Sequence, residues 1–167
     1  MLRRNLAPAG MSALQQAGLA AALGSAFLLA AAFAFQHIGG LAPCPLCIWQ
    51  RWPHAVAVGL GLVLLAVPSR TVAALGAATM AAGAGIAIYH AGIEQSWWLG
   101  PTTCTAPDMA NLTPGQLLDQ ILQTPVVRCD EIAWSFLGLS MAAWNGIACL
   151  GLAALWTQTY ASSSASQ

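Results

Sequence analysis

Residues 49–90 read WQRWPHAVAVGLGLVLLAVPSRTVAALGAATMAAGAGIAIYH. This stretch holds two apolar runs, 49–67 and 72–90, which are joined by only four residues. About 20 residues of α-helix cross the ~30 Å hydrocarbon core of a bilayer, and each run is about that long. Because the connection is so short, the two helices must lie antiparallel and side by side. The stretch therefore predicts a helical hairpin that crosses a membrane twice.

The rest of the chain has the same character. Two further apolar runs cover 17–35 and 133–156, and only 6% of all residues are charged. Soluble domains carry about 25% charged residues, and so few charges cannot cover a water-facing surface. We therefore predict an all-α membrane protein, a single domain over 1–167 built as a bundle of four transmembrane helices. The sequence has no basic patch that could follow nucleic-acid phosphates.

The arginines set the orientation. Arg3, Arg4 and Arg70 flank the membrane on one side, whereas all five acidic residues fall on the other. Arginine and lysine in short loops mark the cytoplasmic side. The predicted cytoplasmic segments are 1–16, 68–71 and 157–167, and the outward loops are 36–48 and 91–131. A cleavable signal peptide is the alternative at the N-terminus, but its apolar region is typically ~7–15 residues long, shorter than the first run.

Small residues and tryptophans give two packing expectations. Small residues at every fourth position would let helices approach closely, although an alanine-rich sequence also produces such rows by chance. The two rows are Gly18, Ala22, Ala26, Ala30 and Ala73, Ala77, Ala81, Gly85. Tryptophans favour the two membrane surfaces. The expected positions are the outer surface for Trp97, Trp98 and Trp134 and the inner surface for Trp156.

The five cysteines are divided between the loops and the membrane. Cys44 and Cys47 lie in the first outward loop, and Cys104 and Cys129 lie in the second. Outside the cytoplasm thiols meet an oxidising environment, so paired cysteines there form disulfides. Cys149 lies deep in the fourth apolar run, where a cysteine behaves as a small apolar core residue.

Cys44-Pro45-Leu46-Cys47 is a C-x-x-C motif placed just before a membrane helix. The start of a helix favours a thiolate, and Arg51, one helical turn after Cys47, adds a positive charge on the same face. A static structural bridge is one alternative. Haem attachment is another, but it needs a His directly after the second Cys, where Ile48 stands. A redox-active pair is the interpretation we favour.

Cys104 and Cys129 are separated by 24 residues within one loop. Between them, Thr113-Pro114-Gly115-Gln116 is typical of a helix start, and the residues up to 122 have one apolar face. We therefore expect a short amphipathic helix on the membrane surface in this loop. The two cysteines could form a structural disulfide, or they could exchange electrons with the C-x-x-C pair through mixed disulfides.

A non-catalytic protein is the main alternative. Its outward loops would be held together by disulfides or by a four-cysteine zinc site. The second C-x-x-C of the common structural zinc motifs is missing, however, and an oxidising compartment disfavours zinc-bound thiolates.

Five motifs occur in a defined order along the chain. They are Phe35-Gln36-His37, Pro43-Cys44-Pro45-Leu46-Cys47-Ile48-Trp49-Gln50-Arg51, Tyr89-His90, Thr103-Cys104 and Trp134-Ser135-Phe136-Leu137-Gly138-Leu139. Together they resemble the DsbB family, disulfide bond formation protein B, over about residues 33–147. The resemblance implies a quinone-dependent thiol oxidase of the bacterial inner membrane that re-oxidises the periplasmic oxidase DsbA. A vitamin-K-epoxide-reductase-like oxidase is a near neighbour, but the motif order fits DsbB better.

The resemblance also implies roles for individual residues. Cys104–Cys129 would take electrons from DsbA, and Cys44–Cys47 would pass them to a membrane quinone, either ubiquinone or menaquinone. Arg51 matches an arginine that supports the reaction with quinone. The chain departs from the family pattern at two positions: Gln50 stands where an acid is familiar, and Pro53 enters the first turns of the second membrane helix.

The histidines and one asparagine complete the set of candidates. His90, near the outer end of the third helix, could hydrogen-bond or protonate a quinone oxygen, or it could be an interfacial His that water satisfies. His37 and His54 rank below Arg51 as quinone contacts. Asn145 is expected to hydrogen-bond between helices.

Overall fold

The computed structural model describes residues 11–101, 113, 115 and 127–162, with side chains up to residue 158. Cys104 and most of the predicted surface helix lie outside the described residues. The elements within them are α1 (Ala13–His37), α2 (Pro45–Trp49), α3 (Arg51–Ala66), α4 (Arg70–Glu94), β1 (Ser135–Phe136), β2 (Leu139–Ser140) and α5 (Met141–Ser162).

Four long helices in the described part of the chain form a closed bundle. α1 packs against α3 and α5, and α4 packs against the same two helices on the other side. The buried core between them includes Leu14, Leu64, Met80 and Trp156. Two of these helices, α1 and α4, are by themselves long and apolar enough to cross a membrane. The predicted helical hairpin is present as α3 and α4, which pack on each other.

The second apolar run is interrupted near its start. α2 ends at Trp49, and α3 begins at Arg51 after Gln50, whose φ of −66° and ψ of −18° keep the chain almost helical. Pro53 explains the interruption because it has no N–H group with which to continue the hydrogen bonds of α2. It therefore falls in the first turn of α3, where a proline is tolerated.

The predicted helix over 133–156 is wrong in its first part. Residues Ser135–Phe136 and Leu139–Ser140 form a small antiparallel hairpin instead, and α5 begins only at Met141. The two turn residues, Leu137 and Gly138, have φ of 52° and 79°. Positive φ at both positions is typical of the tight turn that joins two strands. The described residues thus form a helical bundle that carries a β-hairpin, so the purely α fold that was predicted is wrong in this respect.

The small-residue row predicted on α4 is correct only at its beginning. Ala73 is buried, but Ala81 and Gly85 are exposed. A row with a spacing of four drifts around a helix that has about 3.6 residues per turn. The buried face of α4 therefore follows alternating steps of three and four. It comprises Ala73, Gly76, Met80, Gly83, Ala84, Ala87, His90, Gly92 and Ile93.

Trp156 was expected at the inner membrane surface, and this expectation is wrong. Its side chain is fully buried in the bundle core. Gly76 on α4 makes room for it, because a Cβ atom at this position would lie 2.4 Å from the indole ring. The close approach of α4 and α5 therefore depends on a glycine facing a tryptophan.

This contact predicts that Gly76→Ala destabilises the bundle. Overpacking of a core costs about 1–3 kcal/mol, and the indole of Trp156 is fully buried where the added methyl group would lie. The free energy of unfolding in detergent micelles, from a titration with SDS, measures the effect. Gly85→Ala is the matched control, since Gly85 lies on the same helix and a Cβ there meets nothing within 4 Å. Equal unfolding free energies for the two variants would contradict the assigned packing.

Candidate active site

Pro45 organises the C-x-x-C motif. A residue before proline is restricted to extended backbone, and Cys44 has φ of −73° and ψ of 166°. Proline also starts helices, so Cys44 becomes the N-cap of α2. The Cys44 Sγ atom accepts a hydrogen bond from the backbone N–H of Cys47 at 3.2 Å. This cap brings the sulfurs of Cys44 and Cys47 to 2.8 Å from each other, close to the ~2.05 Å of a disulfide bond.

Cys129 joins this pair from the second loop. It is fully buried and belongs to an apolar cluster with Cys44, Leu46 and Ile93. The sulfurs of Cys44 and Cys129 and a ring nitrogen of His90 all lie within 4.8 Å of one another. The structure thus brings together three of the four cysteines predicted to be catalytic.

The two sulfurs of the C-x-x-C motif have opposite acidities. The Cys44 thiol donates a hydrogen bond to the Cys47 sulfur, and this lowers the pKa of Cys47 to about 7. Arg51 acts in the same direction, whereas burial opposes it. The same hydrogen bond raises the pKa of Cys44, and burial raises it further. Near neutral pH, Cys47 is therefore the sulfur of the pair that ionises, while Cys44 keeps its proton.

Arg51 is held in place from α1. Its Nη1 atom donates a hydrogen bond of 2.7 Å to the side-chain oxygen of Gln36, and its guanidinium lies 4.8 Å from the centre of the Phe33 ring. A cation over an aromatic face is attracted by the ring quadrupole. These contacts fix a positive charge at the start of α3, one turn after Cys47.

His90 lies on the other side of Cys44. Its Nε2 atom is 3.6 Å from the Cys44 sulfur, and its Nδ1 atom is 2.7 Å from the side-chain nitrogen of Gln50. The carboxylate of Glu94, one turn later on α4, is 4.0 Å from Nε2. His90 is therefore a contact of the cysteine pair, and its ring is almost completely buried.

The other histidines and the remaining cysteine have different surroundings. His54 is buried and hydrogen-bonds to Asn145 at 2.9 Å, so Asn145 connects helices as expected. Cys149 is fully buried beside His54, as expected for a core cysteine. His37 is exposed at the end of α1, where it stacks on Phe33.

A cavity of about 480 Å³ adjoins the cysteines. Its polar wall includes Cys44, Cys47, Arg51 and His90, together with Gln50 and His54. The rest is mainly apolar, from α1, α5 and the hairpin, and the aromatic side chains are Phe35, Trp134, Phe136 and Trp144. Small-molecule sites are typically cavities of ~300–1,000 Å³ with apolar walls and a few convergent polar groups. The cavity suits an apolar, ring-containing ligand whose polar end faces Cys47 and Arg51.

Sequence reasoning missed two polar residues at this site. Glu94 lines the cavity and accepts a hydrogen bond from the Ser140 hydroxyl. Ser140 also caps α5, because its oxygen accepts the backbone N–H of Ala143 at 3.2 Å. Glu94 could have been found from its position four residues after His90, which places both on one helix face. Ser140 could not, because it belongs to the unpredicted hairpin.

The donor atoms of Cys44, His90 and Cys129 are also of the types that bind a soft metal. Ligand atoms around tetrahedral zinc lie about 3.5–3.8 Å apart, given Zn–S and Zn–N bonds of ~2.3 and ~2.0 Å. The Cys44 sulfur and Nε2 of His90 are already 3.6 Å apart, and the Cys129 sulfur lies within 4.8 Å of both.

A family model described as "Disulfide bond formation protein DsbB" matches residues 15–159. The chain belongs to the DsbB family. The "Disulfide bond formation protein B" of Stutzerimonas stutzeri (strain A1501) is 35% identical, over 80% of this chain and 88% of that protein. Its counterpart in Methylococcus capsulatus (Bath) is 38% identical, over 77% and 83%. That of Saccharophagus degradans is 34% identical, over 84% and 89%.

Membership of the DsbB family confirms the resemblance drawn from the motifs. It makes the chain a membrane protein and a disulfide-generating oxidoreductase. The cysteine cluster of this DsbB protein is the feature of the fold that fits such chemistry, because disulfides form and break by attack of one sulfur on another.

The acidity of Cys47 gives a second prediction. Cys44→Ala removes the thiol that donates to Cys47, so the pKa of Cys47 should rise from about 7 toward the ordinary thiol value of about 8.5. Arg51→Gln should raise the pKa by a smaller amount. The measurement is the rate of alkylation of Cys47 in the reduced protein against pH, followed by mass spectrometry of the labelled peptide.

Cys149→Ala is the control for this experiment, since Cys149 is buried outside the cluster. It should leave the alkylation profile of Cys47 where it is in the wild type. An unchanged profile in Cys44→Ala would show that the hydrogen bond between the two sulfurs does not control the acidity of Cys47.

Proposed function

We propose that this DsbB protein is a thiol:quinone oxidoreductase of the bacterial inner membrane. It re-oxidises a periplasmic DsbA-type dithiol oxidase and passes the electrons to a membrane quinone. The observation that carries the proposal is the position of the Cys44 sulfur. It lies 2.8 Å from the sulfur of Cys47 and within 4.8 Å of the sulfur of Cys129, at the wall of a cavity that suits a quinone ring.

We infer the membrane arrangement from the two ends of the bundle. In this proposal α1, α3, α4 and α5 each cross the membrane, α2 lies at the periplasmic surface, and both chain ends are cytoplasmic. The cysteine cluster lies where α1 and α4 end and α2 and α5 begin, so these four ends meet on one side. Arg70 starts α4 at the opposite end of the bundle. The positive-inside rule therefore supports a periplasmic site.

The first step brings electrons into the second loop. A thiolate of reduced DsbA attacks Cys104 of a Cys104–Cys129 disulfide, which forms a mixed disulfide and releases Cys129 as a thiolate. Cys129 then attacks Cys44, the Cys44–Cys129 bond forms, and Cys47 leaves as a thiolate. The short distance between Cys129 and Cys44 supports this second exchange.

Position and charge favour attack at Cys44 over attack at Cys47. The Cys44 sulfur lies within 4.8 Å of the Cys129 sulfur. In thiol–disulfide exchange, the sulfur of lower pKa is the better leaving group, and the positive charge of Arg51 lowers the pKa of Cys47. Attack at Cys44, which expels Cys47, is therefore favoured.

The remaining steps restore both disulfides. The second cysteine of DsbA attacks the mixed disulfide, which yields oxidised DsbA and a Cys104 thiolate. Cys104 attacks Cys129, their disulfide forms again, and Cys44 is released. The Cys44–Cys47 pair then gives two electrons to the quinone, which takes up two protons and becomes quinol while the Cys44–Cys47 disulfide forms.

Arg51 supports the last step in this proposal. It lines the cavity, and its fixed positive charge favours both the Cys47 thiolate and the negative charge that develops on a quinone oxygen.

The quinone is an adequate electron acceptor on thermodynamic grounds. DsbA has a potential near −120 mV, so its disulfide can be made only with a more oxidising acceptor.

The series arrangement predicts the behaviour of Cys129→Ser. This variant should lose at least 100-fold in quinone-dependent oxidation of reduced DsbA, because no thiolate of the second loop then reaches Cys44. Its Cys44–Cys47 pair should still be oxidised by quinone after chemical reduction. Oxygen-independent quinol formation and thiol trapping measure the two half-reactions. Cys104→Ser should lose quinone-dependent DsbA oxidation in the same way. Cys149→Ser is the control and should match the wild type. Full turnover by Cys129→Ser would remove Cys129 from the pathway.

A further inference from the structure

A chain of buried polar side chains leads from Cys44 into the middle of the bundle. After His90 it passes to Gln50, whose side-chain oxygen accepts from the Asn145 amide at 2.8 Å, and then to His54 at 2.9 Å from Asn145. Gln50, His54 and His90 are 7%, 3% and 2% exposed, whereas Asn145 is half-buried. The steps proposed above use neither Gln50 nor Asn145.

The backbone carbonyl of Leu46 determines the direction of every hydrogen bond in this series of polar side chains. The side-chain nitrogen of Gln50 lies 3.3 Å from the Leu46 carbonyl oxygen and 2.7 Å from Nδ1 of His90. An amide NH₂ group has two hydrogens and can donate to both. The reversed amide would place two oxygens, each without a hydrogen, against each other. The NH₂ group of Gln50 must therefore face Leu46 and His90.

The orientation of the Gln50 amide in turn fixes the hydrogen bonds of Asn145 and His54. Since the Gln50 oxygen faces Asn145, the NH₂ group of Asn145 must donate to it. The Asn145 oxygen then faces Nε2 of His54, which must carry a hydrogen. Nδ1 of His54 is left as an acceptor, and within the described residues it is buried without a hydrogen-bond partner.

His90 is fixed as one tautomer by this arrangement. Its Nδ1 atom accepts from Gln50, so the hydrogen of the neutral ring is on Nε2. The neighbours of Nε2 are acceptors, namely the Cys44 sulfur at 3.6 Å and the Glu94 carboxylate at 4.0 Å. The backbone of Cys129 is a further hydrogen-bonding neighbour of the ring. The N–H group of His90 thus faces the Cys44 sulfur, with the Glu94 carboxylate and the Cys129 backbone as the other groups around it.

We propose that Gln50 is a positioning residue that holds neutral His90 as the Nε2–H tautomer, so that His90 donates a hydrogen bond to Cys44 when this sulfur leaves as a thiolate. The proposal rests on the function proposed above and deepens it. In the step concerned, the Cys104 thiolate attacks Cys129, the Cys104–Cys129 bond forms, and the Cys44–Cys129 bond breaks with its electron pair on Cys44. No proton is transferred: His90 keeps its hydrogen and shares it with the sulfur.

The step needs such a donor because of the charge already present. When Cys44 leaves, Cys47 is a thiolate, and its sulfur is only 2.8 Å away. Two negative sulfurs so close in a buried site repel each other strongly. A hydrogen bond from a neutral ring to a charged group offsets part of this repulsion without adding a charge.

The opposite tautomer would give the cluster a different chemistry. A bare Nε2 atom beside Cys44 and Cys129 could bind a soft metal, and metal-bound histidines usually donate their other N–H to a carbonyl or carboxylate. Gln50 presents an NH₂ group at that position instead. It therefore selects a hydrogen-bond donor over a metal ligand at His90.

The tautomer can be measured directly in the wild-type protein. Imidazole ¹⁵N and ¹³C chemical shifts of the reduced, histidine-labelled protein in detergent separate the two neutral tautomers from the charged ring. The His90 signal is assigned by its loss in His90→Asn. We expect the Nε2–H form. A wild-type His90 protonated on Nδ1, or on both nitrogens, would overturn the proposal even if the protein is an active oxidase.

The role in turnover is tested with Gln50→Met, which keeps the length of the side chain and removes its hydrogen bonds. We expect the kcat of quinone-dependent DsbA oxidation to fall about tenfold with little change in the KM for quinone. The Cys44–Cys129 disulfide should accumulate in acid-quenched samples, because its breakdown becomes slow. A merely structural defect would not cause this species to accumulate.

Cys149→Ser is the matched control, since Cys149 contacts the far end of the same series of side chains, at His54 and Asn145. It should match the wild type in kcat and in trapped disulfides. Wild-type kcat in a folded Gln50→Met would overturn the proposal. If Gln50→Met fails to fold, the wild-type tautomer still decides the question. If the wild-type protein does not oxidise DsbA with quinone, this result would instead contradict the proposed function, whichever tautomer of His90 is found.

Discussion

The sulfur of Cys44 meets three partners, and each comes from a different element of the fold. Cys47 follows it in α2, His90 comes from the end of α4, and Cys129 comes from the second loop. Pro45 makes this arrangement possible because it keeps Cys44 extended and at the same time starts α2. A sulfur placed between two others can change partners with little movement, and such an exchange is the chemistry of disulfide generation.

The bundle around this sulfur is apolar, and this sets a second constraint. Polar groups in such surroundings must be hydrogen-bonded, or their burial is costly. Gln36 meets this requirement for Arg51, Ser140 does so for Glu94, and Asn145 does so for Gln50. The acidity of Cys47, the place of Arg51 and the tautomer of His90 therefore depend on neighbours contributed by other helices.

Much of the fold could be predicted because its signals are local. The four apolar runs predicted the four long helices of the described residues, and the spacing of Cys44 and Cys47 predicted that their sulfurs lie close together. The hairpin before α5 was missed because Phe136, Leu137 and Leu139 continue an apolar run, and length alone does not separate a strand from a helix start. The place of Trp156 was missed because its cavity depends on Gly76, which lies 80 positions earlier in the chain.

The site was predicted as a list of residues but not as an arrangement. Cys129 is separated from Cys44 by about half of the chain, and no local pattern indicates that they are neighbours. Gln50 was noticed only as a departure from a familiar acid, because its role depends on the Leu46 carbonyl and on two other helices. Long-range contacts of this kind are fixed by packing, which a single sequence does not reveal.

The most direct test of the account is the redox state of the loop cysteines in membranes from which quinone has been removed. Reduced DsbA-type protein is added, the thiols are trapped with a mass-tagged reagent, and the experiment is repeated after quinone is restored. We expect Cys44 and Cys47 to become reduced without quinone and to return to a disulfide with it, in proportion to the quinol formed. Cysteines whose state does not change when quinone is added would contradict it, because static disulfides or thiols do not respond to an electron acceptor.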